Sequence, residues 1–382
     1  MRSRACDLLG IELPLVAFSH CKDVVAEVSK AGGMGVLGAV GMTPEQLDEE
    51  LGWIEQRVGG APFGVDVLIP GSMVGRDAAI DAERLLAMIP EDHKRFAAGV
   101  LEEHGIDASD VDDRARRRRL GMGENMRPEG AQKLVDVAFA HPIRLIANAL
   151  GVPPDWMLER GKREGVVVAA LVGAKEHAIR QVQAGVDLLV VSGTEGGGHC
   201  GSVSTLVLVP EVAEAIRPFG DVPILAAGGI VTGRQMAAVM AMGADGAWTG
   251  SVWLTTVEAE TPSAVKEKML AASSSQTVRS RSRTGKHSRQ LRSPWTDAWE
   301  RPDSPEPLPM PLQSLVSEPA LEKVAKLSEG GHQGARELAT YWVGQGVGLM
   351  STTQSVRNVV YAFKEDFVRA AARLAGFLEE EP

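Results

Sequence analysis

The sequence predicts an α/β fold, a TIM (β/α)8 barrel with a helical insertion after strand three and a C-terminal helical extension. Three observations carry this. Eight short apolar runs recur along the 382 residues, helical patterns separate most of them, and the runs are nearly continuous rather than alternating. Continuous apolar runs mark strands covered on both faces, and strands alternating with helices mark a parallel sheet. Eight such strands close into a barrel.

The strands are expected near residues 13–17, 34–38, 63–68, 143–147, 166–171, 187–191, 223–226 and 246–249. Helical patterns run from Asp23 to Ala31, Thr43 to Val58, Lys175 to Ala184 and Gly233 to Met242, the second opening on Thr43-Pro-Glu-Gln46, a capping-box pattern. Between strands three and four, residues 71–140 read as a helical insertion and candidate lid, with helices from Ala79 to Ile89, Asp92 to His104 and Glu129 to Phe139. Its polar middle, Arg114 and Arg116 to Arg119, reads first as a solvated helix face and second as a docking patch for an anionic tail.

After strand eight, Ala271 to Arg292 is Ser/Arg-rich, carrying Arg279, Arg281, Arg283, Lys286, Arg289 and Arg292, and a Pro-rich stretch follows from Pro294 to Pro319. Trp295, Trp299, Leu308 and Met310 give this segment apolar surface to bury, so it is expected as an ordered loop packed on the barrel. The chain ends in a helix with Val356, Val360, Phe363, Phe367 and Leu374 at helical spacing, suited to core packing or to a homodimer. The expected organisation is therefore 1–70 and 141–272 as the two parts of the barrel, 71–140 as the insertion, and 273–382 as the extension.

Composition narrows the function. With 44% hydrophobic and 24% charged residues the chain is an ordinary globular protein, and a net charge of −10 offers no general attraction to nucleic acid or an acidic membrane. No uncharged apolar run approaches the ~18 residues of a membrane span, and the N-terminus lacks a signal-peptide pattern. Cys6, Cys21 and Cys200 form no CxxC pair or disulfide framework, so a cytoplasmic location without a metal centre is expected.

The 42 glycines, set against 4% aromatic residues, concentrate at expected strand ends. After strand six comes Ser192-Gly-Thr-Glu-Gly-Gly197-Gly198-His199-Cys-Gly201, after strand seven Ala226-Ala-Gly228-Gly229-Ile230, and after strand eight Thr249-Gly250-Ser251. Any one cluster could be a tight turn that needs positive φ. Paired clusters after strands seven and eight, each leading into a helix, are how a barrel builds a phosphate site. His199 is the one histidine inside such a cluster, and small neighbours let its ring reach a cavity as a general acid/base or substrate contact. Cys200 beside it lacks a third orienting group, Glu195 is either a partner or a turn residue, and Asp66 ends strand three. No P-loop, Rossmann fingerprint, HExxH or GxSxG is present.

As an ordered set, Gly193-Thr-Glu-Gly-Gly-Gly-His199, Ala227-Gly-Gly-Ile230 and Met242-Gly-Ala-Asp-Gly-Ala-Trp248-Thr-Gly-Ser251 resemble the nitronate monooxygenases. Ala31 to Gly38, Pro62 to Asp66, Pro307 to Gln313 and Val343 to Gly348 match further motifs of that family. The resemblance implies a barrel that binds FMN non-covalently, with the phosphate against Gly228, Gly229, Gly250 and Ser251. It brings Ala17, Phe18, Ser19, Asp66, Ser192, Gly197, Gly198, Trp248 and Thr249 around the flavin and makes His199 the base or substrate contact for a nitroalkane or nitronate oxidised with dioxygen. Three departures stand out: Asp66 where the family carries Asn, Ser192 where it carries Gln, and Phe18-Ser19 where it carries Pro-Met. The same barrel also serves NAD(P)H-dependent enoyl-thioester and quinone reductases. For these, the basic loop would take an acyl-CoA tail. A barrel binding a phosphorylated small molecule without redox chemistry is the third alternative.

Overall fold

The computed structural model describes residues 1–69, 82–111, 113–114 and 128–379. Eight parallel strands form a closed barrel: β1 (Leu15–Ser19), β2 (Met34–Gly38), β3 (Phe63–Val67), β4 (Leu145–Asn148), β5 (Val167–Val172), β6 (Leu188–Ser192), β8 (Ile224–Ala227) and β9 (Gly246–Thr249). The strand between β6 and β8 in the chain, β7 (Gly198–His199), lies outside the barrel. β1 and β4 start two residues later than their apolar runs. In each case a proline intervenes: Leu15 N donates to Leu13 O across Pro14, and Ile143 N to His141 O across Pro142, both at 2.7 Å. These tight turns use up the first residues of the run.

Side chains alternate across each strand. Val16, Met34, Val36, Leu145, Ala147, Val167, Ala169, Leu188, Val190, Leu225 and Trp248 fill the barrel, whose N-terminal end is closed by Ala5, Cys6 and Leu9 of α1 (Arg4–Leu9). Outward residues such as Phe63, Val65 and Val67 pack against helices.

The helix ring contains α2 (Lys22–Lys30), α3 (Pro44–Val58), α6 (Pro128–Ala140), α7 (Asp155–Glu164), α8 (Lys175–Ala184), α9 (Thr205–Ile216), α10 (Gly233–Ala241) and α15 (Val356–Glu379). The capping box of α3 forms as its sequence predicts, with Thr43 and Gln46 bonding to each other's backbone N–H groups. Two members of the ring differ from the sequence expectation. Helix α6, which the sequence assigns to the insertion, packs on α3 and β3 and buries Leu134, Val135 and Ala138 as the barrel's third helix. Helix α15, read as part of an extension, lies between α10 and α2 and supplies the eighth. Gly233 allows this close approach, since a Cβ there would sit 1.9 Å from Phe363 O, and Arg234 clasps Asp366 beside it. Val356, Val360 and Phe363 are buried as their spacing implies, whereas Leu374 is 52% exposed because the last turns of α15 run past its neighbours.

The remaining segments share a second core. In the insertion, α4 (Ala82–Ala87) and α5 (Glu91–Glu102) contribute Leu85, Val100 and Leu101. The chain after β9 contributes α11 (Ser263–Ala271), α12 (Pro294–Ala298), α13 (Leu312–Glu329) and α14 (Gln333–Leu338). Trp295, Trp299, Leu312, Val316, Leu338 and Val343 pack there with the insertion residues. Two excursions distant in sequence thus bury one another, with α4 and α5 against α13. Arg114 pairs with Asp110, whereas Arg116 to Arg119 lie outside the described residues.

Candidate active site

The C-terminal ends of the barrel strands form the site, and alternation decides what each residue can contribute. Phe18, Gly38, Asp66, Ser192 and Trp248 fall on the inward side of their strands. Phe18 and Trp248 stack at 6.3 Å. Phe18 also meets the edge of His20 at 5.1 Å, and His20 Nδ1 lies 2.9 Å from Gly38 O. Gly38 must lack a side chain, because a Cβ would fall 2.6 Å from the His20 ring. His20, which directly follows the departing Phe18-Ser19 pair in the sequence, is therefore a second histidine near the mouth.

Asp66 is 1% exposed, and its Oδ2 has no hydrogen-bond partner. Burial alone pushes its carboxyl well above the usual carboxylate range. Ala17 and Thr249 face the other way. The Ala17 methyl joins the helix-facing layer, and Thr249 Oγ1 donates to Val16 O while accepting from Trp253 Nε1, both at 3.0 Å. Only their backbones can turn toward a ligand. Ser19 Oγ accepts the Cys21 N–H at 3.0 Å and so shapes the turn after β1.

Beyond β8 and β9 the backbone makes a cradle. Gly228 and Gly229 have φ of 104° and 74°, and a Cβ on Gly228 would strike Thr205 Oγ1 at 2.8 Å. At Gly250 the space a Cβ would enter is open, and Ser251 begins a 3-10 turn, Ser251–Thr255. Glu195 has a defined role as an anchor: its Oε2 accepts from Thr205 N and Thr205 Oγ1, both at 2.9 Å, at the start of α9. Tertiary contact adds a component from Val343 to Gly346. Gly344 N donates to Ser251 Oγ at 2.8 Å and Gln345 N to Glu195 O at 2.9 Å. Cβ atoms on Gly344 and Gly346 would lie 2.5 Å from Glu195 O and 2.7 Å from Gly229 O. The glycines of this late motif let it press onto the ends of β6, β8 and β9.

Gly197 backs onto this same loop, a Cβ there falling 2.8 Å from Val343 C, and Gly198 opens β7 with φ of 78°. His199 lies on a small sheet instead of a free loop. β7 pairs with β11 (Ser288–Leu291), which pairs with β10 (Thr277–Ser280), in an antiparallel sheet that puts Ser288 opposite His199. The connection between β10 and β11 brings Thr284 Oγ1 to 2.8 Å from His199 Nε2. Thr284 is fixed in turn by the Lys286 N–H at 3.3 Å. Trp342 lies 5.9 Å from the imidazole and stacks on Arg283 at 4.2 Å. Arg283 is buried and held by both oxygens of Glu318, at 2.6 and 3.1 Å.

Burial first, and then the cations of Lys286 and Arg283, push the His199 pKa down to about 4. The side chain keeps solvent-exposed surface although protein surrounds most of it, and a ligand seated on it would desolvate it further. Its Nδ1 bonds to no described residue. At neutral pH this is an uncharged imidazole; where the Thr284 hydroxyl gives its proton to Lys286 O at 3.2 Å, Nε2–H donates to Thr284 Oγ1 and Nδ1 is the nitrogen able to accept a proton. Cys200 is not such a group, since burial pushes its thiol up and keeps it protonated.

The basic loop is not a free anion patch. Arg281 pairs with Glu306, Arg283 with Glu318 and Arg292 with Asp297, while Arg289 donates to Thr194 O at 2.8 Å. Three of these cations are thus neutralised within the hairpin's own surroundings, whereas Lys286 and Arg279 have no carboxylate partner among the described residues. Among the described residues, no helix is long and apolar enough to cross a membrane.

A family model described as nitronate monooxygenase matches residues 3–366. A Mycobacterium tuberculosis protein named "Putative monooxygenase Rv1533" is 54% identical, covering 99% of this chain and all of that protein. The structure of nitroalkane oxidase from Streptomyces ansochromogenes is similar with a TM-score of 0.78 at 25% identity, covering 97% of this chain and 99% of that one. FabK from Thermotoga maritima is similar with a TM-score of 0.71 at 25% identity, covering 99% of both chains.

Proposed function

Because the chain belongs to the nitronate monooxygenase family of flavin-type oxidoreductases, we propose that it binds FMN in the barrel mouth and oxidises alkyl nitronates or nitroalkanes with dioxygen. The observation that carries the reading is His199 itself, a neutral imidazole anchored by Thr284 on the short strand that follows β6, at a closed barrel whose β8 and β9 ends carry the glycine cradle. The residues fit the cofactor. Gly228, Gly229, Gly250 and Ser251 offer backbone donors for a phosphate, with open space at Gly250, and Asp66 is an orphaned polar group on the inward side of β3. Bound FMN would supply the electron acceptor, and its reduced form would return the electrons to dioxygen.

The chain's own part is positional and acid–base. His199 takes the α-proton of a nitroalkane at Nδ1, while Thr284 holds Nε2 and so fixes the ring. Phe18, Trp248 and Trp342 exclude water with apolar and aromatic surface. Since His199 must be neutral to act as a base, kcat/KM for a nitroalkane is expected to fall only as pH drops toward about 4. The Lys286 cation opposes protonation, so Lys286→Gln is expected to move that acid limb to higher pH. A limb at the same pH in both proteins would show that the Lys286 charge does not reach the imidazole.

An absorbance spectrum of the purified protein tests the cofactor, with flavin bands and release of FMN on denaturation as the expected result. A colourless protein that takes up no FMN would sink the reading and leave a non-redox barrel. Anaerobic mixing tests the substrate: an alkyl nitronate is expected to bleach the flavin. Rapid bleaching by NADH or NADPH alone would instead favour the reductase reading.

A further inference from the structure

We propose that Asp66 is held as a neutral carboxylic acid and gives a hydrogen bond to the flavin ring, doing with a carboxyl proton what an amide N–H would do. The inference rests on the FMN reading above. Asp66 is the last inward-facing residue of β3, opposite Gly38 on β2 and Ala147 on β4. Neither neighbour has a polar side chain, and the Asp66 carboxyl bonds to no described residue. An anion there would lack water, a donor and a counter-charge, which makes ionisation costly. The titratable side chain beside this ladder position is His20, whose Nδ1 is committed to Gly38 O. Next along β4, Asn148 is uncharged and donates to the carbonyls of Ile69, Leu150 and Gly151. Among the described residues no charge acts on the carboxyl, and burial alone raises its pKa.

A buried acid without a partner is costly to maintain in a folded core, and a ligand that accepts its proton resolves that cost. A flavin bound in the barrel mouth would supply carbonyl and ring-nitrogen acceptors. The neutral acid also avoids the repulsion that a carboxylate would exert on reduced flavin. The departure from Asn at this position is then conservative in function although it changes the ionisable group.

The infrared spectrum of the FMN-loaded protein tests this directly. At pH 7 the wild type is expected to show the C=O stretching band of a protonated carboxyl group, and Asp66→Asn is expected to lack it. By flavin fluorescence, Asp66→Asn should bind FMN within about threefold of wild type, because the amide still donates, while Asp66→Leu should bind about tenfold more weakly. The wild-type midpoint potential at pH 7 should match that of Asp66→Asn. Flavin-loaded protein without the carboxyl band, a wild-type potential clearly below that of Asp66→Asn, or an Asp66→Leu protein that binds FMN as tightly as wild type would each overturn the inference. Wild-type protein that takes up no flavin would overturn the FMN reading beneath it, a separable result.

Discussion

His199→Ala is expected to lower turnover by about 10²- to 10⁴-fold, the usual contribution of a positioned general base, while the protein keeps its flavin. The two outcomes separate because His199 stands apart from the glycine cradle, on the β7 side of the mouth, held by Thr284 and flanked by Trp342. Removing the imidazole leaves the Gly228–Gly229 turn and the Gly344 contact to Ser251 untouched. The flavin absorbance and kcat of the variant should be measured on one preparation. Turnover within threefold of wild type would show that the histidine is structural. With a preformed nitronate, whose α-proton is already gone, the loss should be smaller than with the parent nitroalkane, and equal losses would argue for substrate contact in place of proton removal.

The second large effect is expected from Glu318→Ala, a destabilisation of about 3–5 kcal/mol. Arg283 would be left buried and charged, with its two carboxylate bonds gone and the Trp342 and Tyr341 rings against it. Arg283 precedes Thr284, the residue bonded to His199, so the damage should also reach catalysis. Chemical denaturation measures the first effect and kcat the second. Glu318→Gln keeps one acceptor oxygen for Arg283 and should lose less on both counts. A shift below about 1 kcal/mol for Glu318→Ala would mean that Arg283 finds water or another acceptor when its partner is removed.

The parts of the molecule legible in the sequence are those whose physics is local. Period and apolar content place the eight strands to within two residues, because a strand covered on both faces must be apolar throughout. The capping box Thr43–Gln46 and the glycines at Gly228, Gly229 and Gly250 are short-range rules read directly from neighbouring letters. Misplacement of the β1 and β4 starts also has a local cause, since apolar content alone does not register the turns at Pro14 and Pro142.

What only the tertiary structure decides lies between residues far apart in the chain. The same Pro/Trp-rich segment reads as a loop until Trp295 and Trp299 are seen packed with Leu85 and Leu101 of the insertion. Three arginines of the 279–292 stretch, Arg281, Arg283 and Arg292, look like part of an anion patch until Glu306, Glu318 and Asp297 are found opposite them. Asp66 looks like an ionised departure from an amide until the barrel surrounds it and leaves it nothing to pair with. The sequence by itself determined the barrel, its glycine-lined end and the histidine to examine, because backbone propensity and glycine's freedom act over a few residues. The protonation of His199 and Asp66 and the closing of the barrel by α15 were decided by tertiary structure, because burial and charge pairing depend on which distant segments meet.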